Sequence, residues 1–344
     1  MADLWTALVL THTGSHAGKQ ALFLNDHPHS NGDWGINKHP IAPGHEIAGI
    51  VKAVGSDVKS FKVGDKVGVG CCVDSCRTCD LCNDGLEQHC ASSIQTYGFP
   101  FPEGKGATFK ECEGYHTNGG YSSNITVNDR FVFHVPDNIS IEVVGPLLCA
   151  GITTYSPLNR HLLQKGGGAG KTVGVVGLGG LGHVAVKIAK AMGADVVVLS
   201  RNNSKAAEAK ALGAEILVHS DEAALAAAAR KFNVVLDTVS ALHPIAPIVN
   251  TLKVGGAYVL LGAIGKPFEL VAFPLLMGRY SVEGSLVGGM PETQEMLDFC
   301  SKHNVVPEIK TIHAKEATAQ FKALADGTAG AARAVIDMSS LKDL

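Results

Sequence analysis

The chain has 344 residues, of which 46% are hydrophobic and 18% charged, a composition typical of a folded protein long enough for two domains. The formal net charge of −3 argues against a nucleic-acid partner or an anionic membrane surface. The amino terminus lacks a basic segment and a cleavage-like site, and no apolar run reaches membrane-spanning length. Nine cysteines, an odd number, favour a reducing compartment. We therefore expect a soluble, cytoplasmic protein with no membrane or nucleic-acid partner.

The first part of the chain favours short strands punctuated by glycine. The predicted extended segments are Met1–Leu10, Ile47–Val54, Asp65–Gly70 and Tyr121–Val135. Residues up to about 145 are therefore predicted to form an irregular, β-rich domain.

After Pro146, buried strands alternate with helices. The predicted strands are Lys171–Val176, Asp195–Leu199, Glu215–Val218, Val234–Asp237 and Ala257–Gly262. The predicted helices are Leu181–Met192, Ser204–Leu212, Asp221–Lys231 and Ile245–Leu252. This alternation indicates an α/β fold whose parallel sheet is covered on both faces. From Pro291 onward we predict an amphipathic helix and a closing strand, Arg333–Asp337.

Four cysteines follow the spacing Cys76-x2-Cys79-x2-Cys82-x7-Cys90. Two-residue gaps let a tight turn aim successive thiolates at one centre, and the longer gap lets the chain return to close the fourth position. Four protein ligands leave no open coordination position, so this pattern predicts a structural zinc site. The alternative is a set of loop thiols without metal, free or paired in disulfides.

A glycine motif opens the first helix of the α/β part. It is typical of a dinucleotide site: the first glycine permits a tight turn, the second lets the backbone approach a pyrophosphate, and the third permits helix–strand packing. The helix amino terminus then favours the phosphate charge. The alternative is an ordinary turn between strand and helix. The predicted cofactor contacts are Gly177, Leu178, Gly179, Gly180, Leu181 and Gly182.

The residues after the next strand predict which cofactor binds. An NAD site carries a carboxylate there for the ribose 2′-hydroxyl. This chain has Ser200, Arg201 and Lys205, which would attract a 2′-phosphate. We therefore predict that NADP(H) is the cofactor. The alternative is that Arg201 and Lys205 are solvent-exposed residues at the start of a helix with no role in cofactor binding.

Several motifs together resemble the zinc-dependent medium-chain alcohol dehydrogenases, in the branch of cinnamyl alcohol dehydrogenases and bacterial aldehyde reductases. They are GHEIAGIV, CRTCDLCNDGLEQHC, GGYS, PLLCAGITTYSPL, GLGGLG, GGMPETQEMLDFC and RAVID. The resemblance implies a Rossmann dinucleotide-binding domain at 146–287, with a doubly wound parallel sheet. It also implies a GroES-like, β-rich catalytic domain at 1–145 and 288–344, which carries the structural zinc lobe.

The resemblance also implies an activity and its residues. His45 and Cys149 match ligands of a catalytic zinc, and Glu46 matches a carboxylate that lies behind the metal or ligates it transiently. Thr153 matches a residue facing the nicotinamide. Thr238, Gly262 and Ser285 complete the expected cofactor set. The implied reaction is NADP(H)-dependent hydride transfer to or from a primary alcohol or aldehyde, in a homodimer that pairs through the region 268–287.

The first expected ligand of the catalytic zinc is missing. Where the family has Cys-His-Ser/Thr-Asp, this chain has Phe23-Leu24-Asn25-Asp26. Three explanations stay open: a piece lost from the gene model or transcript, loss of zinc catalysis, or a replacement imidazole from His27 or His29. The second would make the chain a non-catalytic or weakly active NADP(H)-binding homologue.

Overall fold

The computed structural model describes residues 7–11, 41–100, 115–326, 328–330 and 332–343. The chain forms two compact units. The first comprises Met1–Ile152 and Gly288–Leu344, and the second Thr153–Val287.

The first unit is built on an antiparallel sheet. Its early strands are β1 (Ala7–Thr11), β2 (Ile47–Val54), β3 (Lys66–Val69), β4 (Cys72–Asp74), β5 (Ile94–Gln95), β6 (Asn124–Asn128) and β7 (Phe133–His134). Five of them form a sheet in the order β6-β1-β2-β3-β7, while β4 and β5 pair separately. Apolar side chains of β2 and β3, among them Ile47, Val51, Val67 and Val69, are fully buried and form the core of this unit.

The second unit contains a six-stranded parallel sheet. Its strands are β8 (Thr172–Val176), β9 (Asp195–Ser200), β10 (Glu215–Val218), β11 (Phe232–Asp237), β12 (Leu252–Leu260) and β13 (Ser281–Gly284). The strand order β10-β9-β8-β11-β12-β13 reverses direction between β8 and β11, as in a doubly wound dinucleotide fold. The helices are Ile152–His161, Gly180–Ala191, Ala206–Ala211, Glu222–Ala227, Ala246–Val249 and Ala272–Gly278, the first beginning at the boundary between the units. The predicted α/β class is confirmed.

The chain returns to the first unit near its end. The last strands, β14 (Ile309–His313) and β15 (Arg333–Asp337), pair in parallel. Ile312 and Ile336 on them pack into the core that β2 and β3 began. The helices of this unit are Asp80–Asn83, Ile141–Pro146, Met290–His303 and Ala317–Ala325, with a π-helix at Leu147–Gly151.

Several predicted elements differ in their bounds from the observed ones. The predicted helix Asp221–Lys231 ends at Ala227, and the strand predicted at Ala257–Gly262 begins at Leu252. The predicted strand Tyr121–Val135 is interrupted, because the Asn128 side chain accepts a hydrogen bond from the Arg130 N–H and starts a 3-10 turn, Asp129–Phe131. The predicted helix Ile245–Leu252 ends early, since Leu252 already belongs to β12.

One helical run, Ile141–Lys165, has the length and apolar composition of a membrane span. Its most apolar window is 72% buried inside the protein, and a core helix of a folded domain passes the same test.

Candidate active site

Four sulfur atoms meet in a lobe of the first unit. The Sγ atoms of Cys76, Cys79, Cys82 and Cys90 all lie within 4.8 Å of one another. The sulfur of Cys82 is 3.9 Å from that of Cys76 and 3.6 Å from that of Cys79. Tetrahedral zinc with Zn–S bonds of about 2.3 Å places its sulfur ligands about 3.8 Å apart. These four residues therefore fit a structural zinc ion, as the spacing predicted.

The backbone around the first two cysteines is shaped for this cluster. Arg77 adopts a positive φ of 62°, and its guanidinium makes two hydrogen bonds, of 2.9 and 3.1 Å, to the buried carboxylate of Asp74. The Cys79 N–H lies 3.4 Å from the sulfur of Cys76. The turn between the first two ligands is thus fixed by protein groups.

The thiol pKa values show why the lobe suits a cation. Hydrogen bonds from the backbone N–H groups of Thr78 and Cys79 lower the pKa of Cys76 to about 6. The Cys82 N–H lowers the pKa of Cys79, but the neighbouring sulfurs, Cys76 first, outweigh it and raise the value to about 12. Close sulfurs cannot all ionise without a positive charge between them, and a zinc ion supplies that charge.

A second cluster lies elsewhere in the first unit. A ring nitrogen of His45 and the Sγ atoms of Cys71 and Cys149 all lie within 4.8 Å of one another. All three residues are half-buried. Contact with Cys71, followed by burial, raises the pKa of the Cys149 thiol well above its ordinary value, while His45 acts in the opposite direction. Two thiols and an imidazole are suitable ligands for zinc, and three ligands leave a fourth position open.

His45 is positioned by the loop that leads into β2. Gly44, just before it, has a φ of 104°, which side-chain-bearing residues rarely adopt. The imidazole lies parallel to the buried ring of Tyr97, with 6.1 Å between ring centroids and 11° between planes. The direction of the His45 ring is therefore constrained by packing.

Glu46 directly follows His45 in the chain and is almost fully buried. Its Oε1 is 3.7 Å from the Nη2 atom of Arg333, which is buried to a similar degree at the start of β15. The guanidinium offsets part of the cost of burying the carboxylate. A buried carboxyl group paired with a guanidinium thus directly follows His45 in the chain.

In the second unit, the three glycines of the motif differ in their conformation and surroundings. Gly177 has a φ of 86° at the turn after β8. A Cβ on Gly179 would meet nothing within 4 Å, so this side of the loop is open to a ligand. A Cβ on Gly182 would lie 2.2 Å from the carbonyl oxygen of Gly177. The loop therefore fits a dinucleotide pyrophosphate at the amino terminus of the helix Gly180–Ala191.

Ser200, Arg201 and Lys205 gather at the carboxyl end of β9, next to β8 in the sheet. Arg201 is exposed, while Lys205 forms a 2.7 Å ion pair with Glu208. Glu208 also contacts the Nε2 atom of His183 at 2.7 Å. The charge of Lys205 is thus partly neutralised within the protein, which makes Arg201 the stronger candidate for a 2′-phosphate.

The other expected cofactor residues are dispersed over the second unit. Thr238 donates a 2.7 Å hydrogen bond from its hydroxyl to the Val176 carbonyl and so joins β11 to β8. A Cβ on Gly262 would lie 2.3 Å from the Val239 carbonyl oxygen, which requires glycine there. Ser285 and Thr153 are half-buried and buried, respectively. Their contacts to a cofactor stay predictions.

One member of the second cluster was missed in the sequence. Cys71 is one of the nine cysteines, but no motif marks it, because its partners His45 and Cys149 are distant in the chain. The available signal was its position directly after the glycine that ends the predicted extended segment Asp65–Gly70. Phe23–Asp26, His27 and His29 lie outside the described residues.

A doubly wound sheet with a dinucleotide loop, together with two sulfur-rich clusters, defines the class: a metal-dependent oxidoreductase that uses a nicotinamide cofactor. The comparisons with known proteins agree. The family of alcohol dehydrogenase GroES-like domains matches residues 19–137, and the zinc-binding dehydrogenase family matches residues 180–302.

Curated relatives share the enzyme class. Vomilenine reductase from Rauvolfia serpentina is 51% identical over 282 residues, which is 81% of this chain and 75% of the relative. Cinnamyl alcohol dehydrogenase 2 from the same organism is 50% identical over the same shares. NADP-dependent alcohol dehydrogenase C 1 from Mycolicibacterium smegmatis is 48% identical over 81% of this chain and 77% of its own length.

Solved structures agree as well. A cinnamyl alcohol dehydrogenase from Sorghum bicolor is 36% identical, with a TM-score of 0.87 over 97% of this chain and 91% of its own. The Helicobacter pylori enzyme complexed with NADP(H) is also 36% identical, with a TM-score of 0.84 over the same shares. The chain belongs to the zinc-dependent medium-chain alcohol dehydrogenase family, in the cinnamyl alcohol dehydrogenase branch, and is an oxidoreductase.

Proposed function

We propose that the chain is an NADP(H)-dependent zinc alcohol dehydrogenase or aldehyde reductase acting on primary alcohols and aldehydes. The observation that carries the proposal is the grouping of His45, Cys71 and Cys149, which can hold a metal while leaving a position for substrate oxygen. Zinc bound there would polarise the alcohol or carbonyl oxygen, and the nicotinamide would accept or supply hydride. The similarity to a cinnamyl alcohol dehydrogenase supports the same substrate class.

The chain's own residues orient the reaction. Tyr97 constrains the imidazole of His45 by stacking. Glu46, paired with Arg333, places negative charge near that imidazole, which favours binding of a cation. Thr153 is proposed to face the nicotinamide, on the grounds of the family resemblance.

The preference for NADP(H) rests on Arg201. This cation is exposed at the end of β9, where an NAD site would carry a carboxylate. The NADP-dependent relative from M. smegmatis and the NADP(H) complex of the H. pylori enzyme support the proposal.

Steady-state kinetics with NADPH and NADH test both parts. Cinnamaldehyde and an aliphatic aldehyde serve as substrates. We expect turnover with NADPH, and Arg201→Ala should raise the KM for NADPH about 10–100-fold while leaving that for NADH unchanged. Lys210→Ala, an exposed lysine on the neighbouring helix, is the matched control and should behave like wild type. A wild-type preference for NADH would refute the cofactor proposal.

A second candidate function is a non-catalytic NADP(H)-binding homologue. It is favoured by the sequence Phe23-Leu24-Asn25-Asp26, which stands where the family has Cys-His-Ser/Thr-Asp and lacks the expected ligand cysteine. Metal content separates the two candidates: about two zinc ions per chain with turnover support the enzyme, and about one zinc ion without turnover supports the homologue.

We further propose that the protein is a cytoplasmic homodimer. The helix Ala272–Gly278 exposes 69% of Phe273, 75% of Leu276 and 71% of Met277 and precedes β13, which ends the order of the parallel sheet. Such a contiguous apolar face beside a sheet edge favours pairing with a second copy. Light scattering should give twice the chain mass, and Leu276→Glu should give the monomer. Zinc-binding thiolates are best preserved in a reducing compartment.

A further inference from the structure

The backbone brings Cys71 to the second cluster through close packing of two segments. The chain after β3 passes so near the π-helix Leu147–Gly151 that a Cβ on Gly70 would lie 3.2 Å from the Leu148 carbonyl oxygen. A Cβ on Gly68 would lie 2.7 Å from a Leu148 methyl group. These glycines allow an approach that places Cys71 beside Cys149, the residue that follows Leu148.

The position of Cys71 is fixed from the other side as well. The Thr96 N–H donates a 2.9 Å hydrogen bond to the Cys71 carbonyl, and the Thr96 hydroxyl donates to the carbonyl of Gly70. Thr96 is buried. Cys71 therefore lies on a segment held between Thr96 and the π-helix, which is what a metal ligand requires.

The adjacent cysteine shows that this placement is specific. The Cys72 thiol lies 3.1 Å from the Asp74 carbonyl and 3.2 Å from the Ser93 hydroxyl. Cys72 belongs to neither metal-binding group among the described residues. Two neighbouring cysteines thus differ in their surroundings, and one of them faces two potential zinc ligands.

We propose that Cys71 is the third protein ligand of the reactive metal, in place of the cysteine that this chain lacks where the family has one. Cys71, Cys149 and His45 then form a Cys₂His set with one open position, the donor set of catalytic zinc in alcohol dehydrogenases. This proposal rests on the proposed function for the presence of that metal.

The geometry needs only a small adjustment. A tetrahedral zinc with these ligands requires separations of about 3.5–3.8 Å between ligand atoms. All separations between the ligand atoms are already within 4.8 Å, so side-chain rotations that move these atoms by about 1 Å or less would close the site.

Metal analysis of cysteine variants tests the ligand directly. Zinc per chain is measured by mass spectrometry for wild type, Cys71→Ser, Cys71→Ala and the control Cys72→Ser. We expect about two zinc ions in wild type and Cys72→Ser, and about one in both Cys71 variants. The zinc ion of the structural lobe serves as the internal reference for folding, together with the circular dichroism spectrum.

Cobalt substitution gives a second readout that does not depend on activity. In wild type loaded with Co²⁺, both sites contribute thiolate charge-transfer bands, and Cys71→Ser should lose the contribution of the second site. Two zinc ions in the Cys71 variants with an unchanged cobalt spectrum would overturn the proposal. Loss of the second metal from a His27→Ala/His29→Ala variant but not from Cys71→Ala would also overturn it, as would a wild type holding one zinc ion.

The ligand and the function can fail separately. Wild type with two zinc ions and a Cys71-dependent second site, but no turnover of aldehydes with NADPH, would refute the proposed function and leave the ligand assignment standing. Normal turnover together with a Cys71-independent second zinc ion would do the reverse.

Discussion

Substituting alanine for single glycines of the dinucleotide loop separates its structural role from its ligand-binding role. In Gly182→Ala, the new Cβ would lie 2.2 Å from the Gly177 carbonyl oxygen, whereas such contacts are essentially never closer than 3.0 Å. The helix and the loop must therefore move apart by about 0.8 Å or more, because the obstacle is backbone and cannot rotate away. Overpacking of this kind costs about 1–3 kcal/mol.

Thermal unfolding and NADPH binding measure the two consequences. At about 2–4 °C per kcal/mol, Gly182→Ala should lower Tm by roughly 2–12 °C. Displacement of the loop should also weaken NADPH binding, by about tenfold for each 1.4 kcal/mol lost. Differential scanning fluorimetry gives the first value, and quenching of protein fluorescence by NADPH gives the second.

Gly179→Ala provides the contrast. Its Cβ would meet no protein atom within 4 Å, so Tm should change by less than about 1 °C. NADPH binding should nevertheless weaken at least tenfold, since the methyl group takes the space through which a pyrophosphate reaches the backbone. Gly330→Ala, which is equally open and lies in the first unit, should change neither quantity. If Gly179→Ala binds NADPH as wild type does, the loop does not hold the pyrophosphate as argued.

Three further predictions concern buried charge and metal. Arg333→Met deprives the buried Glu46 carboxylate of its guanidinium and should lower the unfolding free energy, measured by urea titration, by about 3 kcal/mol. Adding Glu46→Gln should restore part of that loss. If the losses of unfolding free energy in the two single variants simply add in the double variant, the pairing is contradicted. Burial raises the pKa of Asp237, so the folded state binds the proton more tightly than the unfolded state, and the stabilising contribution of this group is lost as pH rises above about 4. The Tm of wild type relative to that of Asp237→Asn should therefore fall between pH 4 and 7. A Tm difference that stays constant over this range would be contrary evidence. Cys79→Ser should lose one zinc ion and unfold at lower urea concentration than wild type even without chelator, whereas an unchanged midpoint would show that the lobe is stable without metal.

Features that depend on neighbouring residues could be predicted from the sequence. The spacing of Cys76, Cys79, Cys82 and Cys90 predicts the observed cluster of sulfur atoms, because a short loop alone can bring the four together. Likewise, Gly177 and Gly182 belong to one turn, so their distinct roles follow from a local motif.

Features that depend on long-range packing could not be predicted from the sequence. Cys71 and Cys149 meet only because Gly68 and Gly70 let β3 approach a π-helix, and a sequence pattern contains no signal for that approach. The end of the predicted helix Ile245–Leu252 was wrong for a similar reason, since pairing of β12 with β11 claims Leu252. The fold class was accessible because it follows from alternating hydrophobic segments, whereas pairs of contacting residues follow from tertiary structure.

The pairing of Glu46 with Arg333 has a consequence for synthesis of the protein on the ribosome. The carboxylate is among the early residues of the first unit, but its guanidinium partner is translated after the whole second unit. At a translation rate of about 5–20 residues per second, Arg333 is synthesised roughly 15–60 s after Glu46. During that interval the first unit also lacks β14 and β15, whose Ile312 and Ile336 complete its core. The second unit is continuous in the chain and can therefore fold first. A chain released from the ribosome before β15 is made would contain the dinucleotide-binding fold, but the Glu46 carboxylate beside His45 would lack its Arg333 partner.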